Sequence, residues 1–151
     1  MIKFEHISCY NNEIVQLPTR ATKGSSGYDF YAPERYEIHA GEQVLIPTGI
    51  RFITDEQVWL MCMPRSGLGF KYGMRLLNTV GNIDSDYWHS DNEGHIMAKI
   101  TADKDFVIEK GDRFMQGVIL PYLVTNNDSA NGERNGGFGS TGIGCGSSST
   151  Y

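Results

Sequence analysis

Two short stretches carry residue types that could do chemistry. Pro64-Arg-Ser-Gly67 puts a guanidinium fork, a hydroxyl and a glycine after a strongly apolar run, a set that can donate hydrogen bonds to the anionic oxygens of a phosphate. Asn78-Thr-Val-Gly-Asn-Ile-Asp-Ser-Asp-Tyr87 sets two carboxylates, Asp84 and Asp86, beside the ring of Tyr87, with Gly81 where a bend costs little. A solvated turn would use Asp and Ser but has no need of Ile83 and Tyr87 at alternate positions, so one side of this stretch is expected to face a packed or ligand-filled space. Taken singly, each stretch also reads as ordinary turn chemistry: Pro-x-Ser-Gly suits a turn, and the second stretch suits the end of a polar hairpin.

Three more segments have the same double reading: Gly27-Tyr-Asp29, Gly111-Asp-Arg-Phe-Met-Gln116 and Arg134-Asn-Gly-Gly-Phe-Gly-Ser-Thr-Gly142. Each alone is a turn or a capped strand. Their conjunction along one chain is harder to obtain by accident.

The elements that must position these residues are strands. Residues 2–7, 13–17, 28–32, 43–53, 57–63, 95–101 and 113–124 are short runs rich in Val, Ile, Tyr and Phe. Ile38-His-Ala-Gly41-Glu42 and Ile108-Glu-Lys-Gly111-Asp112 are similar turns, each with a Gly placed for positive φ before a new strand. Pro47 and Pro121 mark strand edges or breaks, because proline lacks an amide donor. With no amphipathic helical segment of useful length, the predicted class is an all-β sandwich or barrel with one short helix after Ser66. Residues 1–124 form the β-domain of this reading. Residues 125–151 form a flexible C-terminal arm, too poor in apolar side chains to offset its ordering entropy.

The totals limit the function classes. A chain of 151 residues is most simply one domain, and 40% hydrophobic with 21% charged residues is a soluble globular composition with no membrane-spanning run. Met1-Ile-Lys-Phe-Glu-His lacks the apolar segment of a signal peptide, so a cytoplasmic protein is expected. Cys9, Cys62 and Cys145 are odd in number and far apart, which predicts free thiols and no zinc site. A net charge of −5 argues against nucleic-acid binding, although a few placed arginines and a metal ion can still attract a small anion.

On these residues the chain resembles the trimeric-type dUTPases, deoxyuridine triphosphate nucleotidohydrolases. The family's motifs match in order at Gly27-Tyr-Asp-Phe-Tyr-Ala32, Pro64-Arg-Ser-Gly-Leu68, Asn78 to Tyr87 with Gly94-His-Ile96, Gly111 to Gln116, and Gly136 to Gly142. The resemblance implies a jelly-roll-like β-fold and a homotrimer whose active sites draw residues from all three subunits. It implies dUTP as substrate, with Asp84 as the general base that activates the attacking water. Tyr87 would pack on the deoxyribose, and Asn78 with the hairpin backbone at Gly81 and Ile83 would read the uracil edge. Arg65, Ser66, Gly67 and Gln116 would hold phosphates, and Asp29 would act through water on a magnesium ion carried mainly by the triphosphate. In the arm, Arg134, Ser140 and Thr141 would reach the γ-phosphate, and Phe138 with Gly139 would cover the base.

Three features depart from the family's common form. Trp88-His-Ser-Asp-Asn-Glu93 separates Tyr87 from Gly94, where a single residue is frequent; Arg134 stands one position nearer Phe138 than usual; and Asn82 replaces an apolar residue. Besides a plain β-sandwich binding module without catalysis, two rival functions remain open on sequence. One is a dCTP deaminase of the same fold family, which needs a different acid/base, typically a glutamate. The other is a nucleotide-switched regulatory protein that contacts a partner through Trp88 to Glu93.

Overall fold

In the computed structural model, which describes residues 1–137, most of the β-branched and aromatic runs form strands. In chain order these are β1 (Ile2–His6), β2 (Thr19–Arg20), β3 (Gly27–Tyr31), β4 (Tyr36–Ile38), β5 (Val44–Pro47), β6 (Ile50–Thr54) and β7 (Val58–Pro64). A single α-helix, α1 (Ser66–Tyr72), is followed by β8 (Arg75–Leu76), β9 (Gly81–Ile83), a 3-10 turn at Tyr87–His89, β10 (Met97–Thr101), β11 (Phe106–Ile108) and β12 (Arg113–Pro121). The all-β, jelly-roll-like class with one short helix therefore stands. No helix among the described residues is long and apolar enough to cross a membrane.

The site-bearing layer is a five-stranded antiparallel sheet in the order β2-β3-β12-β7-β9. Smaller sheets β1-β6, β5-β10-β8 and β11-β4 complete the body. Between them lies a core that includes Phe30, Phe52, Leu60, Ile100 and Phe114, all essentially inaccessible to solvent. Phe4 supports it with an edge contact to Phe30, centroids 5.6 Å apart. A bulge between Arg113 and Met115 shifts the register of β12 on β3. The extra residue lets the consecutive side chains of Phe114 and Met115 both turn inward, which strict alternation would forbid.

The helix ends where its sequence dictates. Gly73 adopts φ 67°, its amide donates to the Gly69 carbonyl and that of Met74 to Leu68, a Schellman-type stop. Gly41 and Gly111 take φ values of 78° and 86°, as their matched turns predict. Pro47 and Pro121 are the last residues of β5 and β12, so both end strands as expected.

Three expectations need correction. Residues 13–17 are not a strand: the Asn11 side chain accepts from the amides of Glu13 and Ile14, and this local turn satisfies backbone groups that a ladder would otherwise claim. Residues 43–53 are two strands, separated where Pro47 cannot donate and Gly49 takes φ 75° beneath the Tyr10 ring. Cys9 is disulfide-bonded, against the reading of free thiols. Cys62 is a free cysteine as predicted, and full burial pushes its thiol up to about 12, where it is a neutral packing group.

Candidate active site

The carboxylate stretch is built on the pairing of β9 with β7, in which Gly81 faces Cys62, Asn82 faces Met61 and Ile83 faces Leu60. A Cβ on Gly81 would lie 3.0 Å from the Cys62 Cβ, so the close approach of these strands favours glycine. Alternation sends Gly81 and Ile83 inward and Asn82 outward, and Asp84 emerges half-exposed at the strand end. The 3-10 turn then folds Tyr87 back into the body, leaving it 3% exposed. Its hydroxyl donates to the His95 carbonyl at 2.8 Å and accepts from Asn92 Nδ2 at 2.8 Å. Burial raises the Tyr87 phenol above its usual range, with the Asn92 donor and the Arg134 charge opposing, so the ring is a neutral, anchored wall.

Ile83 and Tyr87 face packed space, as expected of a stretch with one buried side. A cavity of about 200 Å³ opens beside them, with Asn78, Asn82, Ile83, Asp84 and Tyr87 among its lining. A second cavity of about 420 Å³, walled by Trp59, Asp86 and Tyr122, shares Asn82, Asp84 and Arg134 with the first. Asp84 thus stands between an inner pocket with an aromatic wall and an outer polar cleft. Arg134 bridges the two carboxylates, with Nη2 at 2.5 Å from Asp84 Oδ2 and Nε at 2.8 Å from Asp86 Oδ1.

The phosphate-type residues gather elsewhere. Asp29 on β3 faces Gln116 on β12, and Gln116 faces Met63 on β7, one row across the sheet. Asp29 is 7% exposed, with Arg65 Nε at 3.0 Å from one carboxylate oxygen and Arg113 Nη1 at 3.6 Å from the other. A buried carboxylate needs such partners. Ser66 and Gly67 are exposed beside Arg65, and the Gln116 amide lies 3.5 Å from the Pro64 carbonyl. Among the described residues no group of three or more His, Cys, Asp or Glu is placed to hold a metal ion.

These two clusters do not meet within one chain. Continuing the β7–β9 register puts Asp84 level with Trp59. Arg65 lies six residues further along (65 − 59), about 20 Å at 3.2–3.4 Å per residue, too far for one phosphate group to touch both. Phe138, Gly139, Ser140 and Thr141 lie outside the described residues.

The family model for dUTPase matches residues 13–142. The chain belongs to the dUTPase family. A deoxyuridine 5'-triphosphate nucleotidohydrolase from Lactococcus lactis subsp. lactis (strain IL1403) is 42% identical over 144 residues, covering 92% of this chain and 96% of the relative. One from Haemophilus ducreyi is 41% identical over 157 residues, covering 94% and 99%. The crystal structure of dUTPase from Streptococcus mutans superposes with a TM-score of 0.73 at 41% identity, covering 82% of this chain and 98% of that one. The dUTPase of Staphylococcus bacteriophage 80alpha shares the fold, with a TM-score of 0.70 at 19% identity, covering 87% of this chain and 97% of that one.

Sequence reasoning missed the residues that hold the named ones in place. Arg113 was inside a quoted segment but its pairing with Asp29 depends on the β3–β12 register. Asn92 and His95 anchor Tyr87 from the far side of the loop, and no local pattern signals either role. Gly94 does carry a signal. It takes φ 72°, and a Cβ there would come within 2.4 Å of the Trp88 Cα. Gly94→Ala should therefore cost at least about 2 kcal/mol, through left-handed strain plus a backbone clash. Thermal unfolding would show this as a Tm lower by several degrees, and an unchanged Tm would mean that the loop relaxes freely.

Proposed function

We propose that this chain hydrolyses dUTP to dUMP and pyrophosphate, with Asp84 as the base. The observation that carries the reading is the position of Asp84 between the Tyr87 pocket and the outer cleft, with no other carboxylate among the described residues that line the inner pocket. Water attacks the α-phosphorus in line, its proton passes to Asp84, and the bond to the bridging oxygen of the β-phosphate breaks so that pyrophosphate leaves. Tyr87 packs on the deoxyribose, where its fixed ring leaves no room for a 2′-hydroxyl. Asn78 and the backbone at Gly81 and Ile83 read the uracil edge.

Arg65, Ser66, Gly67 and Gln116 hold the phosphates, while Asp29 orients Arg65 and Arg113 and would act on a bound metal through water. Arg134 and the arm residues Phe138, Gly139, Ser140 and Thr141 close over the nucleotide. Family membership implies a divalent metal in general. Magnesium, carried mainly by the triphosphate, would neutralise charge on the phosphate chain. The separation of Asp84 from Arg65 supports a homotrimer, because a neighbouring subunit can bring its own Arg65 to this Asp84.

The cytoplasmic placement belongs to the same proposal, and fractionation of the source cells tests it. The regulatory reading through Trp88 to Glu93 gains little support. Trp88 is half-buried with Nε1 donating to the Thr54 carbonyl, and the Glu93 carboxylate accepts from Ser8. A panel of nucleoside triphosphates with Mg²⁺ decides between the chemistries. Pyrophosphate from dUTP, with little from dTTP, dCTP or UTP, is the expected result; ammonia from dCTP would select a deaminase instead. Light scattering on the same preparation should give the mass of three chains, and an active monomer would refute the shared site.

A further inference from the structure

Two of the departures noted in the sequence, the residues between Tyr87 and Gly94 and the shortened arm spacing, touch each other in the structure. The Asp91 amide donates to Asn135 Oδ1 at 2.9 Å, and Asn135 Nδ2 donates back to Asp91 Oδ2 at 2.9 Å. The Gly136 amide donates to Ser90 Oγ at 3.0 Å. The loop that receives these bonds is itself held: Asn92 bonds Tyr87 and the Gly94 amide, Glu93 bonds Ser8, and Trp88 bonds the Thr54 carbonyl. On one side of the docked pair, Arg134 bridges Asp84 and Asp86. On the other, Gly137 packs on the Tyr87 ring so closely that a Cβ would lie 2.7 Å from Cε2.

We propose that the 88–93 loop is a docking surface for arm residues 134–137, and that docking parks the Arg134 guanidinium on the carboxylate that must accept the proton. The proposal rests on the reading of Asp84 as the base. In the docked state Asp84 Oδ2 is occupied by a charge-assisted hydrogen bond, and Gly137 covers part of the ring on which the sugar packs. Docking and substrate binding then compete for the same atoms. The phosphates of an arriving nucleotide offer the guanidinium another anionic partner, so the arginine transfers from carboxylate to phosphate as the site fills. Apparent affinity for substrate falls in proportion to the undocked fraction. Asp91, Asn135 and Ser90 are positioning residues in this scheme, acting on the chemistry only through Arg134.

Trypsin provides the test, because it cuts after Arg134. In the nucleotide-free full-length protein, with cleavage after Arg134 read under reducing conditions, Asn135→Ala, which removes both hydrogen bonds of the pair, should speed cleavage by about three- to tenfold, and Asp91→Ala, which removes one and keeps the Asp91 amide, by about threefold. The double variant should add little to Asn135→Ala, which already removes both bonds. Each variant should lower KM for dUTP while leaving kcat within about twofold. Unchanged cleavage in both singles would overturn the docking, and faster cleavage with unchanged KM would overturn the parking. The substituted side chains lie on opposite sides of one contact, so a folding defect in one variant leaves the other to decide. If the native protein fails to turn over dUTP, the functional reading fails, while the cleavage comparison still decides the docking.

Discussion

Asp84→Asn is expected to lower kcat for dUTP by at least about 10²-fold, the lower end of what a positioned general base contributes, with KM changed only a few-fold. The substitution keeps size and hydrogen bonding but removes the proton acceptor. Asp86→Asn is the control. Asp86 is more exposed than Asp84, lines the outer cleft but not the inner pocket, and meets Arg134 through Nε. Its variant should keep most of the activity. Steady-state kinetics on the two proteins, with binding of a non-hydrolysable dUTP analogue measured alongside, checks the assignment. A dead Asp86 variant beside an active Asp84 variant would reverse the roles.

Removing everything after Asn131 is expected to leave a folded β-body that turns over dUTP at least about 10²-fold less efficiently, because positioning and charge stabilisation are lost together. Residues 121–135 are exposed throughout, so the described part of the arm adds little to the core. What the truncation removes is Arg134, the one described arm residue that reaches Asp84 and Asp86, together with the glycine-rich segment beyond it. Cooperative unfolding, at a Tm lowered by loss of the Cys9 disulfide, with a large fall in kcat/KM is the expected pair of results. Full kcat/KM in the truncated protein would show that the arm takes no part in turnover. The truncation and the docking variants should move in opposite directions. On the proposed reading, losing the arm would remove what closes the site, whereas loosening it would only free the base sooner.

Features that depend on near neighbours in the chain were legible before any contact was known. Runs of Val, Ile, Tyr and Phe predicted most of the long strands, Gly41 and Gly111 took the positive φ their turns required, and the alternation of Ile83 and Tyr87 announced a stretch with one buried side. The motif order was sufficient to identify the family before any contact was known. Short elements such as β9 and β11 escaped, since three residues carry too little pattern to separate strand from loop.

Which charged groups share a space follows from strand order and register. Asp29 gains Arg65 and Arg113 because β3 and β7 flank β12 in one register. Tyr87 is anchored because the 3-10 turn and Gly94 return the chain to Asn92 and His95, and Arg134 lies on Asp84 because the 88–93 loop receives Asn135 and Gly136. The same register separates Asp84 from Arg65, although both sit in motifs that a linear reading assigns to one site. The physical reason is range. Turn conformation and alternation act over a few residues, whereas register and strand order arise from contacts between segments tens of residues apart, and the relative positions of charged groups follow from these.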